Sequence, residues 1–291
     1  MKISTVIDNL KKFYSGIGFD GNPINEENTR DKVLFGNEII SEECSGIVTT
    51  CWASADVIQK AIDLGANLII CHEALFWNRG DHTAWLEDTH NKTYLKKKHL
   101  LEKNKIVVWR NHDFIHSGVP IENKGYVDGI FYGLANKLGW TNFVVGDFKM
   151  PRKFKLPETT VKDIANHTIT TLNLNGAKII GSLSTKVKNV YICDHIIGEN
   201  DSSIIELANR EDIDLLIALE LIDYTVTEYV QDRSLLSSDL AILTVGHFNT
   251  EEPGMEFMLE YMDSAIGKKI PKFFIPSGDM FNYVTNDKIT K

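Results

Sequence analysis

Three short stretches of the chain place histidine and carboxylate side chains where apolar runs end. They are Cys71-His72-Glu73, Arg110-Asn111-His112-Asp113-Phe114-Ile115-His116 and Gly246-His247-Phe248-Asn249-Thr250-Glu251. Imidazole nitrogens and carboxylate oxygens are the donors that Zn²⁺, Fe²⁺, Mn²⁺ or Ni²⁺ accept. His112 precedes His116 by four residues, and His247 precedes Glu251 by the same offset, so one helical turn would set either pair on one face. Taken singly, each residue has a plainer reading. His72 could be a hydrogen-bonded half-core histidine, His112 and His116 two unrelated loop residues, and Glu251 an acid favoured by a helix N-terminal dipole. Donor-rich ends on three apolar runs at once are harder to explain without a cation.

The elements that must position these residues alternate between strand and helix. Helical spacing of Val6, Leu10 and Phe13 gives a first helix. Gly46 to Cys51 reads as a strand, Ala55 to Leu64 as a helix ending at Gly65, and Ala66 to Cys71 as a buried strand, which makes a βαβ unit. A lysine-rich helix over Thr89 to Asn104 leads to a strand from Ile106 to Trp109, and a helix over Gly129 to Leu138 follows. Phe143 to Leu156 reads as irregular, and Thr159 to Leu172 as helix. A second βαβ-like unit has strands Lys188 to Cys193 and Asp214 to Leu219 around a helix from Ser202 to Arg210. Its last strand ends on Glu220, as the first unit's ends on Glu73, which suggests two similar halves. Leu240 to Val245 is a further strand, a helix starts near Pro253, and a strand from Ile270 to Ile275 precedes a polar tail. Ligands gather outside the carboxyl ends of strands in open α/β sheets, so the three motifs converge if their strands are neighbours.

Composition excludes several classes. The 291 residues are 43% hydrophobic and 24% charged, as in an ordinary globular protein, and no apolar run approaches membrane-spanning length. The formal charge of −9 repels phosphate backbones, so no specific nucleic-acid binding is expected. Cys44, Cys51, Cys71 and Cys193 form no C-x-x-C pair and read as reduced thiols of a cytoplasmic protein. Gly-x-Gly-x-x-Gly, P-loop and Gly-x-Ser-x-Gly motifs are absent. The Lys96-Lys97-Lys98-His99 run reads as a solvated helix face. Asp194-His195 could form a second polar site, and Glu220 is either a surface acid or a pocket residue.

These motifs, in this order, resemble the Nif-three-like dinuclear-metal family, whose members are often named GTP cyclohydrolase I type 2 homologues. Gly246-His247-x-x-Thr250-Glu251 is the most specific element. The resemblance implies two similar α/β domains, residues 1–125 plus 240–291 and residues 126–239, with no inserted domain. Helices would cover the strands, and the metal site would lie at strand C-terminal ends in the cleft between domains. It implies a toroidal hexamer with one or two divalent cations (Zn, Fe, Mn or Ni) per chain. Glu73 stands where the family usually has a second histidine, and His116 where it usually has an aspartate. Donor count and ligand charge are about conserved by the two changes together. Glu73 or Glu251 would then bridge two cations, or the site would hold one. The ligands implied are His72, Glu73, His116, His247 and Glu251, with His112 a further ligand or a general acid/base. A nucleotide or phosphorylated small molecule would suit such a hydrolase-like site, with Arg110 assisting. The alternative is a non-enzymatic, metal-responsive scaffold.

Overall fold

The computed structural model describes residues 1–78, 81–193, 195–198, 201–210, 212–237 and 239–284, so Asp194 lies outside the described residues. In chain order the elements begin with α1 (Ile3–Phe13), β1 (Val33–Phe35), β2 (Ile47–Thr50), α2 (Ala55–Asp63), β3 (Leu68–Cys71), α3 (Ala84–Asp88), α4 (Lys92–Lys103) and β4 (Val107–Arg110). Next come α5 (Asp113–Ser117), β5 (Val119–Ile121), β6 (Gly125–Val127), α6 (Gly129–Lys137), β7 (Lys153–Thr160), α7 (Val161–Leu172), β8 (Lys178–Ile180) and β9 (Lys186–Cys193). The last are α8 (Asp201–Ala208), β10 (Leu215–Ala218), α9 (Val226–Ser237), β11 (Ala241–Thr244), α10 (His247–Ile266) and β12 (Lys272–Phe274). The chain divides into two compact units, Met1–Gly133 with Glu251–Ser277, and Leu134–Thr250 with Gly278–Lys291.

The first unit is built on a sheet of order β1-β4-β3-β2-β12, parallel except for the antiparallel edge strand β1. Alternate strand residues serve two cores, as the pleat requires. Ile47, Leu68, Ile70, Val107 and Trp109 pack with Ile3, Val6 and Leu10 of α1 and Met255, Met258 and Met262 of α10. Val48, Ile69, Cys71 and Val108 turn the other way, onto Val57, Ile58 and Ala61 of α2 and Tyr94 and Leu101 of α4. Buried on both faces, these strands are the continuous apolar runs visible in the sequence. Gly254 of α10 touches α6 so closely that a Cβ would meet Ile130 Cα at 2.6 Å, and one on Gly133 would meet Gly254 Cα at 2.5 Å. Only glycine permits that approach, and it fixes the turn of α10 that carries Glu251.

The second unit has the sheet order β7-β9-β10-β11-β8, with three parallel strands between two antiparallel edges. Its core includes Ile192-flanking Cys193, Leu216, Ala218 and Ile242, packed with Ile204 of α8 and Val226 and Val230 of α9. Strand β11, grouped by the sequence reading with residues 240–291 of the first domain, hydrogen-bonds to β10 and β8 in this sheet.

Several local expectations are corrected. Helix α10 starts at His247, not near Pro253, because Thr250 Oγ1 and N both donate to the Gly246 carbonyl and Asn249 Nδ2 donates to that of Val245. The first turn is closed before the proline arrives. Residues 153–156, expected to be irregular, belong to β7, which draws its order from pairing with β9. Lys97 is no part of a solvated face. It is 5% exposed, donates to the Leu75 carbonyl at 2.7 Å and lies over the rings of Trp52, Phe76 and Trp77. The four cysteines are free thiols, three of them buried. Among the described residues, no helix is long and apolar enough to cross a membrane.

Candidate metal centre

Strands β3 and β4 are neighbours in register, Cys71 beside Arg110, so the residues that follow them emerge together. His72 leaves β3 fully buried and its Nδ1 donates to the Asn111 carbonyl oxygen at 3.1 Å. A carbonyl only accepts, so the proton sits on Nδ1 and the Nε2 lone pair is the coordinating one. After β4 the chain makes the single helical turn of α5. His116 N donates to the His112 carbonyl at 3.2 Å, and the two rings lie 4.9 Å apart. The His72 ring stacks on His112 at 4.3 Å and meets His116 edge-on at 5.1 Å.

Two carboxylates that carry no spacing signal hold this turn. Asp31, 3% exposed, accepts the backbone N–H groups of His112, Asp113 and Phe114 at 2.6, 2.8 and 2.8 Å, supplying the cap that a short helix needs. Burial pushes its pKa up to about 6 despite those three donors. Asp128, 2% exposed, accepts from His116 Nδ1 at 2.8 Å through one oxygen and from the N–H groups of Ile130 and Phe131 through the other. One carboxylate thus caps α6 and orients His116, leaving Nε2 to face the other histidines. Burial opposes a charge on His116, but Asp128 outweighs it and raises the pKa. His112 is driven the other way, well below the ordinary histidine value, by burial and then by His72. Its Nδ1 donates to Asp113 Oδ1 at 3.2 Å. Burial would raise the Asp113 carboxyl, but His112 and the Arg30 backbone and guanidinium hold it well below the carboxylate range.

Glu251 completes the first-unit group from α10, 3% exposed, with Oε2 3.5 Å from His72 Nε2. Ligand atoms of His72, His112 and His116, and those of His72, Glu73 and Glu251, lie within 4.8 Å of one another. His72, Glu73, His112, His116 and Glu251 are therefore brought together as two trios that share His72. Their nitrogens and oxygens, buried and mutually close, fit a divalent cation better than a packed core, where isolated carboxylates are costly.

His247 falls in a different trio. It follows β11, and β11 lies beside β10 in the second sheet, so His247 meets Glu220 at the end of β10. His247 Nδ1 donates to Glu220 Oε1 at 2.8 Å, and His195 Nδ1 donates to Glu220 Oε2. The three ligand atoms again lie within 4.8 Å. Burial would raise the pKa of Glu220, but the two histidines bring it down to about 2. Both rings have Nδ1 bound to the carboxylate, which presents Nε2 as the donor for a cation. In the sequence His195 belongs to a possible second polar site and Glu220 is a surface acid or a pocket residue; strand order is what pairs both with His247.

Arg110, expected to assist a substrate, is engaged within the protein. It is 5% exposed, pairs with Asp81 at 2.7 Å and donates to the Arg30 carbonyl. Beside Asp113 there is instead a polar cavity of about 320 Å³ lined by Asp20, Asn22, Asn25 and Thr29, and the exposed Phe19 ring lies 5.6 Å from His116.

Taken together, the fold and its trios define an α/β protein with histidine and carboxylate groups able to hold metal. The family model described as Duf34/NIF3 (NGG1p interacting factor 3) matches residues 30–278, and the chain belongs to that family. A Clostridium acetobutylicum protein named GTP cyclohydrolase 1 type 2 homolog is 22% identical over 224 residues, 76% of this chain and 78% of that one. Solved structures share the fold. A Staphylococcus aureus hypothetical protein, SA1388, superposes with TM-score 0.67 at 15% identity, over 98% of this chain and 99% of its own. A Bacillus cereus protein related to NIF3 gives 0.66 at 16%, with the same coverage.

Proposed function

We propose that this protein binds one or two divalent cations (Zn²⁺, Fe²⁺, Mn²⁺ or Ni²⁺) and acts as a hydrolase-like enzyme on a nucleotide or phosphorylated small molecule. The observation that carries the metal reading is the buried first-unit group, in which carbonyl and carboxylate acceptors fix His72 and His116 with Nε2 inward beside Glu251. His72, Glu73, His116 and Glu251 would hold one cation, and His247 would hold another in the trio with His195 and Glu220. A bound cation supplies Lewis acidity toward an anionic substrate and toward water. His112, neutral through burial and with Nδ1 on Asp113, can take a proton at Nε2, as a general base must. Asp31 and Asp128 keep both histidines in position during that transfer. The polar cavity beside Asp113 offers hydrogen-bonding groups for a substrate. The nucleotide class is supported by the name of the Clostridium relative.

A second reading, a non-enzymatic metal-responsive scaffold, is favoured by the family's description as an interacting factor. In either case we propose a homo-oligomer, a hexamer of 32.9 kDa chains, which light scattering of the purified protein would weigh. Elemental analysis of the protein as isolated, followed by assays with GTP and a simple phosphoester, tests the function. Stoichiometric metal with turnover that disappears in Glu251→Ala and His247→Ala supports the enzyme. Metal without turnover, with assembly altered in those variants, supports the scaffold. Protein that neither carries nor takes up any of the four metals sinks both.

A further inference from the structure

The second unit contains a cavity of about 260 Å³ that opens beside the His195–Glu220–His247 trio and extends beyond it. Its walls are mostly apolar and aromatic, and its polar groups include Glu220, His247 and Lys178. Part of the wall comes from the segment after β12, which reads as a polar tail in the sequence but folds back onto this unit. Asn175 N donates to Asp279 Oδ2 at 3.0 Å, and Asn175 Nδ2 donates to the Phe281 carbonyl at 2.8 Å. The Tyr283 ring lies so close to Gly176 that a Cβ there would meet it at 2.8 Å. These contacts hold Phe281 and Tyr283 against the cavity. Lys178 sits 5.8 Å from the Phe281 ring centroid and forms no ion pair among the described residues.

We propose that this cavity binds a one- or two-ring heteroaromatic anion, its acidic group paired with Lys178 and its ring N–H directed to the linked Glu220–His247 pair. Three features select that class. The space is below the usual range for drug-sized ligands and too small for a dinucleotide, but sufficient for a bicyclic ring. Phe248, Phe281 and Tyr283 offer ring surfaces, which favour a planar aromatic body over an aliphatic one. Lys178 supplies positive charge at an otherwise apolar wall, and Glu220 is a carboxylate able to accept a further N–H. Glu220 and His247 would also hold the second cation of the proposed function, so the test uses protein dialysed against chelator, in which both groups are left to the ligand.

Isothermal titration with indole-5-carboxylate, indole and cyclohexanecarboxylate provides the readout. Indole-5-carboxylate is expected to bind, indole about fivefold more weakly for want of the ion pair, and cyclohexanecarboxylate least. Lys178→Met should bring indole-5-carboxylate down to the affinity of indole, and Phe281→Ala should weaken both. Phe281 is 48% exposed, so its loss does not threaten folding, and Gly176→Ala, which displaces Tyr283, should reproduce the weakening by a separate route. The proposal is overturned if indole-5-carboxylate gives no heat up to about 5 mM. It is equally overturned if its binding is the same in Lys178→Met and Phe281→Ala as in the parent. Because metal is absent throughout, neither result depends on whether the protein carries a cation.

Discussion

The two units carry histidine–carboxylate trios that follow strand ends, yet they solve the problem of holding them differently. In the first unit His72, His112, His116 and Glu251 are each less than a tenth exposed, and buried acceptors hold the rings: the Asn111 carbonyl, Asp128, and Asp31 through the backbone of α5. In the second, His195, Glu220 and His247 are 41%, 39% and 22% exposed, and one carboxylate joins both rings. Burial makes the first group expensive unless every donor is satisfied, and it repays that cost as pre-organisation. Exposure makes the second group cheap and leaves it open to a ligand from the adjoining cavity. The same pair of residue types can therefore be a fixed centre or an accessible one, according to what lies behind it.

Removing a donor from each group would test that contrast most severely. His72→Ala should lower metal affinity at the first group by about a hundredfold or more, whereas His195→Ala should cost less, as competition with a chelating dye would report. Equal losses would erase the distinction. The next largest effect is on stability against pH, where the two carboxylates should act with opposite signs. Asp31 has a folded pKa of about 6, above its ordinary 3.8, so its contribution is full below about pH 4 and is lost as pH rises through 6. Measured against Asp31→Asn, that loss is on the order of 3 kcal/mol. Glu220 has a folded pKa of about 2, below its ordinary 4.5, so its contribution is full above about 4.5 and is lost as pH falls through 2. Solvent screening keeps it under about 1 kcal/mol. Hydrogen exchange of residues 112–118 and 215–220 across this range would show both slopes, and a shared sign would contradict them. A separate change is expected for Asp128→Asn, which keeps an acceptor for His116 but removes the charge. Metal affinity of the first group should fall about tenfold, with the second group unmoved.

How much of this was legible in the sequence differs by element. The β2–α2–β3 run and β4 announce themselves, because strands buried on both faces must be continuously apolar and α2 must present one apolar side. The antiparallel edge strands β1, β7 and β8 do not, since β1 and β8 have no fully buried residue, β7 has only Phe154 and Leu156, and their order comes from partners far along the chain. Helix α9 hides for a related reason: Val226 and Val230 are buried, but Leu235 and Leu236 face solvent, which blurs the stripe. Asp31 and Asp128 are lone acids in unremarkable surroundings, and nothing local marks either as the residue that will hold α5 or His116.

The sequence by itself determined which donors exist and that they stand at the ends of apolar strands, because periodicity and residue chemistry are local properties. It also determined that His112 and His116 could share a face, and α5 supplies the turn. Only the tertiary structure decided which donors meet. His247 and Glu251 are one turn apart on α10, but His247 joins Glu220 and His195 while Glu251 joins His72 and Glu73. That sorting follows from β11 hydrogen-bonding to β10 while β3 pairs with β4. Strand partners are chosen by long-range backbone hydrogen bonds and shared cores, which no spacing within one motif encodes.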